Sequence, residues 1–362
     1  MKKRVLALVL TAPLLFAITT VLAVGENLIF NIEGFQKYAV ENSKQVTLDD
    51  LEIKTKESAL LDAKEDAEFL YPASTKSERY NNDIKKDVTP LEAEANLEYA
   101  KRAKQKNIDN LKLDVYKAAL NRLLIEKELD MQKAKLDILN EKYSMAEVRY
   151  REGKITENDL NDIKYSLDTK KIDVQKVEKS LKTAEMELKR LLSLELDDKD
   201  LKIDEKLTLA KWKSIKLEKV INDAIEKNID IYKKSENLKV KEKIMEITEK
   251  YYTDSNSIYN ENKTNLELAR IELEDAKINL EVEIRNKYNN LLSAKDNVEL
   301  ASKWEDIQKK KLQNLELKLE NGLVSRQELL SQQEKYLDAQ YQTFAAIYDF
   351  NVLMAEFEAL CN

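Results

Sequence analysis

The chain has 362 residues, of which 36% are charged and 43% hydrophobic, and a formal net charge of −7. Its four glycines and three prolines fall far below the roughly 7% and 5% usual in proteins, so ordinary turn-rich globular domains are excluded and a few very long helices are predicted. The mild, mixed charge gives no basic surface for nucleic acid, and the lack of histidine removes the commonest general base and metal ligand. We therefore predict no enzymatic activity, no cofactor and no metal site.

The N-terminus has the pattern of a secretory signal. Three basic residues follow Met1, an apolar run covers residues 5–22, and Val21 and Ala23 have the spacing of a signal-peptidase site. We predict a signal peptide over residues 1–23, cleaved after Ala23. An uncleaved membrane anchor is the alternative, since the run approaches the roughly 20 residues that span a bilayer. The single cysteine, Cys361, excludes an internal disulfide.

Residues 24–192 predict a first helical hairpin. Thr47 and Asp50 have capping-box spacing for an early helix that runs to about Phe69. Residues 71–90 carry two of the three prolines and predict a break between helices. From Leu91 to about Glu152 nothing interrupts a helix, which would be roughly 90 Å long at 1.5 Å per residue.

The first tip, residues 152–156, joins this helix to its antiparallel partner. Gly153 is a helix stop, because glycine takes the left-handed conformation without steric cost. Thr156 followed by Asp159 is a capping box that starts the next helix. The apolar seam then alternates in steps of three and four, as in a left-handed coiled coil. Its positions include Leu160, Ile163, Leu167, Val174, Val177, Leu181, Ala184, Leu188 and Leu191.

Residues 193–213 predict a linker, and residues 214–362 repeat the hairpin. A break at 253–263 precedes a long helix from about Leu266 to Glu320, and the second tip covers residues 321–325. Its Gly322, Ser325 and Glu328 follow the first tip at an offset of 169 residues. The same offset places the first seam on positions from Leu329 to Leu360 without a gap. The sequence therefore predicts an all-α fold of two duplicated long antiparallel hairpins with coiled-coil packing.

Both halves resemble the TolC family of outer-membrane efflux proteins. The second tip, ENGLVSRQELL at residues 320–330, is similar to the family's second tip, and YDFNVLMAEFE at 348–358 is similar to its terminal helix. Residues 39–46 and 224–231 resemble its repeat openings. The resemblance implies an α-barrel protomer that forms a homotrimer in the outer membrane of the cell envelope. It also implies two partners, a periplasmic adaptor (membrane fusion protein) and an inner-membrane transporter.

The resemblance also implies two sets of site residues. The first set comprises the adaptor-contacting turns, Gly153, Lys154, Ile155, Thr156, Gly322, Leu323, Val324 and Ser325. The second set lines a pore constriction just beyond the tips and comprises Asp159, Glu328 and Ser331. Family members carry acidic residues there, so Ser331 departs from a doubled acidic ring. Asp159 and Glu328 also have a simpler role that requires no pore, because a carboxylate at the third helical position caps the start of its helix.

The chain departs from the family in its membrane strands. Each such strand needs roughly 9–11 residues. The break at 71–90 has the length for two strands but the wrong polarity, and the break at 253–263 is too short for two. We therefore predict a TolC-like protomer with little or no β-barrel.

Two functions remain open from the sequence. One is a passive trimeric export duct, and the other is a structural or interaction coiled coil of the envelope without a pore. A duct requires two apolar faces on each helix. The terminal helix provides a second face with Leu330, Leu337, Phe344 and Ile347, whereas residues 160–191 do so less clearly. An adaptor is the third idea, but it would need strand-rich domains that the sequence lacks.

Overall fold

The computed structural model describes residues 28–196, 201–212 and 214–361. The predicted signal peptide lies outside these residues, as do positions 197–200 and 213 of the predicted linker. The described chain is almost entirely helical, which confirms the predicted fold class. Its helices are α1 Ile32–Glu41, α2 Lys44–Glu68, α3 Lys76–Asp87, α4 Thr89–Arg151, α5 Glu157–Leu191, α6 Leu217–Lys227, α7 Ile229–Tyr251, α8 Ser257–Glu320 and α9 Arg326–Cys361.

The four longest helices form two hairpins of matching size. In the first, α4 has 63 residues and α5 has 35. In the second, α8 has 64 and α9 has 36. The shorter helices α1 and α2 precede the first hairpin, and α6 and α7 precede the second. The duplication inferred from the 169-residue offset is therefore visible in the lengths and order of the elements.

The two hairpins pack side by side in the order α5, α4, α9, α8. Extensive packing joins α4 to α5, α4 to α9 and α8 to α9, whereas no comparable packing joins α5 to α8 in the described part of the chain. The seam of α5 is buried as predicted, at Leu167, Val174, Val177, Ala184 and Leu188. The layer therefore has two edges, and α5 and α8 form them.

The second apolar stripe of α9 joins the hairpins within one chain. Leu330 is fully buried, and Phe344 and Ile347 pack on the core shared by α1, α4 and α5. The sequence analysis interpreted this stripe as a face for closing a duct. Instead, α4 covers it, because the antiparallel hairpin of the first half lies directly against α9.

Polar contacts reinforce the same α4–α9 seam. Lys142 donates to Glu334 at 2.7 Å, and Lys135 forms an ion pair with Asp338. Farther from the tips, Glu356 accepts hydrogen bonds from Lys117 of α4 at 2.6 Å and from Lys287 of α8 at 3.2 Å. Hydrogen bonding to Lys117 lowers the pKa of the Glu356 carboxyl. The two hairpins are thus held as one unit.

The breaks are shorter than the sequence predicts. Residues 71–90 contain α3, which begins at a capping box between Thr75 and Glu78, and the α4 helix starts at Thr89. Pro90 therefore lies in the first turn of α4, where its missing amide costs no hydrogen bond. In the second half, α8 begins at Ser257, well before Leu266, because the Asn256 side chain caps it.

The early helix α2 also starts before its predicted cap. Its N-cap is Ser43, whose hydroxyl accepts from the amide of Val46. Thr47 lies inside the helix and donates to the carbonyl oxygen of Ser43. The predicted Thr47–Asp50 cap was therefore wrong, because a serine four residues earlier already satisfies the first free amides.

A short parallel pair of strands ties the start of the first half to the connection between the halves. Strand β1, Leu28–Phe30, pairs with β2, Leu201–Ile203, in the register Ile29 to Lys202. β2 lies within the predicted linker and closes the core around Phe35. Among the described helices, none is both long and apolar enough to cross a bilayer.

Candidate functional site

The two tips have the same backbone geometry. The amide of Gly153 donates to the carbonyl oxygen of Tyr150 at 2.9 Å, and that of Lys154 donates to Arg149 at 2.8 Å. At the second tip the amide of Gly322 donates to the carbonyl oxygen of Leu319 at 2.9 Å. The amide of the next residue makes the bond equivalent to that of Lys154. These paired bonds form a Schellman motif, and both glycines have φ of 71°. The predicted helix stops are confirmed in detail.

Each tip ends in the predicted capping box. Thr156 Oγ1 accepts from the amide of Asp159 at 3.2 Å, and the carboxylate accepts from the Thr156 amide at 2.9 Å. Ser325 and Glu328 make the same pair of bonds at 3.3 and 2.8 Å. Hydrogen bonds from the cap backbone lower the pKa of both carboxyls, so both acids are ionised at neutral pH.

Replacing either tip glycine tests the conformational origin of the turns. Gly153→Ala is expected to cost roughly 1 kcal/mol in the free energy of unfolding, because alanine is strained at positive φ. Nothing lies within 4 Å of an added Cβ, so a steric clash does not contribute. Urea unfolding provides the measurement, and Gly153→Asn is the matched control because asparagine tolerates this conformation. Equal losses for Ala and Asn would contradict this account.

The end of α5 offers the converse substitution. Ser193 occupies the position in a Schellman motif that glycine occupies at the tips, with φ of 57°. Its amide donates to the carbonyl oxygen of Arg190, and the next amide donates to that of Lys189. Ser193→Gly is therefore expected to stabilise the chain by up to about 1 kcal/mol. Unfolding in urea would show this as a higher midpoint with an unchanged slope. A lower midpoint would mean that the serine makes a contact worth more than the strain.

The two tips lie at the same end of the molecule, and a groove lies beside the first tip. The groove has a volume of about 410 Å³ and is lined by Leu139, Met145, Ile155, Ile163 and Gln327, among others. Ile155 is half-buried there. Beside it Arg326 forms a bidentate ion pair with Glu141, at 2.5 and 2.9 Å. This pair, which the sequence analysis did not identify, joins the start of α9 to α4.

The remaining predicted tip residues have different environments. Lys154 is exposed and pairs with Glu152 at 2.8 Å. Leu323 is an exposed apolar side chain, and Val324 is half-buried. Ser331 donates to the carbonyl oxygen of Gln327 at 2.9 Å and lies one turn beyond Glu328. Among the described residues, no three acidic or cysteine side chains converge as metal ligands would.

The edge helix α8 carries an apolar stripe that its own chain leaves exposed. With 100° per residue, its members fall within an arc of about 80°, opposite the buried face that contacts α9 near the tip and α7 farther from it. This α8 stripe comprises Leu268, Ile271, Ile278, Val282, Leu300, Trp304 and Ile307. Leu317 is also exposed but lies about 60° outside this arc.

The opposite edge helix, α5, has a matching but shorter stripe. Tyr165, Ile172 and Met186 are exposed and share one face, opposite the seam that packs on α4. The sequence analysis found this face less clear, because polar residues separate its members. Each edge helix therefore has a second face of the kind that a closed ring requires.

The fold thus consists of two long hairpins side by side, with both tips at one end and with α5 and α8 at the two edges. Solved outer membrane channels have this fold. The chain superposes on CmeC of Campylobacter jejuni with a TM-score of 0.71 at 12% identity, over 91% of this chain and 85% of that one. For VceC of Vibrio cholerae the TM-score is 0.69 at 11% identity, over 91% and 96%.

The open state of MtrE from Neisseria gonorrhoeae matches with a TM-score of 0.64 at 14% identity, covering 92% of this chain and 89% of that one. These proteins are TolC-family outer membrane channels, so the resemblance seen in the tips is confirmed at the level of the fold. No protein-family model matches the sequence, and no curated protein matches it.

Proposed function

We propose that the chain is one subunit of a closed helical duct that exports solutes passively across the cell envelope, as a homotrimer. The observation that carries this proposal is the pair of uncovered apolar stripes on α5 and α8. The two edges differ, so the α5 edge of one copy meets the α8 edge of the next. Such head-to-tail contacts end only when the copies close into a ring.

The number of copies is taken from the family resemblance. Each chain contributes four long helices, and three chains would make a wall of twelve. The neighbouring folds are outer membrane channels, which supports an envelope location and a conduit role for this chain. The predicted signal peptide would direct the chain out of the cytoplasm.

The tips would form the docking end of the duct. An exposed Leu323, the half-buried Ile155 and Val324, and the groove beside Gln327 offer apolar contacts to a partner. We assign this end to a periplasmic adaptor, which would link the duct to an inner-membrane transporter. The turn residues 153–156 and 322–325 would make the contacts.

The acids beside the tips would narrow the lumen in the same assembly. Asp159 and Glu328 are exposed, and their caps hold them charged at neutral pH. Around a trimer they would form rings of negative charge, with Ser331 one turn farther in. Rings of carboxylates favour cations over anions in a narrow pore.

Molar mass by light scattering, combined with electron microscopy of the mature protein, tests the proposal. We expect a trimer with a hollow tube in projection. A monomer, or a solid two-chain rod, would instead support the alternative of a structural coiled coil without a pore.

A further inference from the structure

We propose that α5 of one copy pairs with α8 of the next in one register, in which Ile172 faces Ile307. The inference rests on the closed ring proposed above and deepens it by naming the facing side chains. Ile172 lies in the middle of the α5 stripe and Ile307 is the member of the α8 stripe nearest the tip, with 53% and 45% of their surface exposed.

The heights of the two isoleucines above the tips agree. Because both tips lie at one end, α5 leads away from the tip and α8 leads toward it, so the two edges meet antiparallel. Ile172 lies fifteen residues after the first residue of α5, Glu157, and Ile307 lies thirteen before the last residue of α8, Glu320. At 1.5 Å per residue the two differ in height by about 3 Å.

The same count brings opposite charges together farther from the tips. Lys179 lies on the α5 stripe and Asp296 on the α8 stripe, and with Ile172 level with Ile307 they lie four residues, about 6 Å, apart in height. Both side chains are exposed, and within the described residues neither has an ion-pair partner in its own chain. Between neighbouring copies, Lys179 and Asp296 would form an ion pair.

A second charge pair lies on the other side of the isoleucines. Asp168 of α5 and Lys311 of α8 also differ by about two residues in height and are exposed on the two stripes. Asp168 already accepts a hydrogen bond from Lys171 at 2.9 Å, and Lys311 lies 5.6 Å from the ring of Trp304. The apolar contact would thus have a complementary charge pair on either side.

Neighbouring registers lose this match. A shift of seven residues in one direction places Asp168 against Trp304, and the opposite shift places Ile172 against Asn314. The first shift moves Lys311 about 10 Å away from Asp168, and the opposite shift separates the Lys179 and Asp296 charges by about 16 Å in height. The unshifted pairing is therefore the one in which Ile172 faces Ile307, Asp168 faces Lys311 and the tips of neighbouring copies differ in height by only about 3 Å.

The surface between α8 and α9 is concave beside the α8 stripe. A groove of about 540 Å³ runs between α8 and α9, next to Trp304. Small side chains line it, including Ala294, Ala301 and Ala346. Small residues allow helix axes to approach closely, so a neighbouring α5 can pack along this groove.

Crosslinking tests the register directly. In a Cys361→Ser background, the mature chain with Ile172→Cys and Ile307→Cys is expected to give covalent dimers and trimers on mild oxidation, and each single variant none. The matched control combines Ile172→Cys with Val282→Cys, on the same stripe but roughly 37 Å along the helix from Ile307. Equal or greater crosslinking in the control would overturn the register.

Charge reversal provides a second, independent readout. Lys179→Asp and Asp296→Lys are each expected to weaken assembly about fivefold, and together to restore it within about twofold. Losses that simply multiply in the double variant would overturn the pairing. The molar mass of the unchanged protein separates the two proposals. A trimer that fails both tests refutes only the register, whereas a monomer refutes the ring as well.

Discussion

Ile307→Asp is expected to dissociate the trimer into folded monomers. In the isolated chain Ile307 is 45% exposed, so a carboxylate there remains hydrated and the hairpin stays intact. In the ring the same carboxylate would be enclosed by apolar side chains with Asp168 of the next copy nearby. Burying an unpaired charge costs about 3 kcal/mol or more at each contact, which weakens each contact more than a hundredfold.

The matched control is Leu317→Asp. Leu317 lies on the same helix and is 59% exposed, but it is about 80° around the helix from Ile307. It is expected to leave the trimer unchanged. Light scattering gives the molar mass of both variants, and circular dichroism confirms that both remain helical. If Leu317→Asp dissociated the trimer and Ile307→Asp did not, another face of α8 would form the contact.

The second large effect is expected at a buried amide pair near the second tip. Gln332 Nε2 donates to Gln308 Oε1 at 2.9 Å and to the Gln308 carbonyl oxygen at 3.2 Å. Only 7% and 2% of the two residues is exposed. Gln332→Ile removes one partner and leaves the other amide buried without its bond, at a cost of about 1–3 kcal/mol in the free energy of unfolding.

The first hairpin shows how both amides can be replaced together. At the offset of 169 residues, Gln308 corresponds to Leu139 and Gln332 to Ile163. The double variant Gln308→Leu with Gln332→Ile copies this apolar pair and is expected to match the unchanged protein within about 1 kcal/mol. A double-mutant cycle in urea measures the coupling. A double variant that loses the sum of the single effects would contradict it.

The local features of the fold could be predicted from the sequence. Gly153, Gly322 and their capping residues specify both turns, because backbone conformation and free amides depend only on neighbouring residues. The periodic apolar positions of α5 predicted its buried seam for the same reason. Helix starts were less certain, since Ser43 and Asn256 compete with later residues for the cap. Pro90 likewise suggested a break where it begins a helix.

The partner of each apolar face depended on the three-dimensional arrangement. A helical period shows which side of α9 is apolar, but it does not show whether Leu330 meets its own α4 or a second copy. The ion pair between Arg326 and Glu141 joins residues 185 positions apart, a separation that no local pattern encodes. The chain order and caps thus determined two hairpins and their tips. Their side-by-side packing then determined which edges, α5 and α8, remain free.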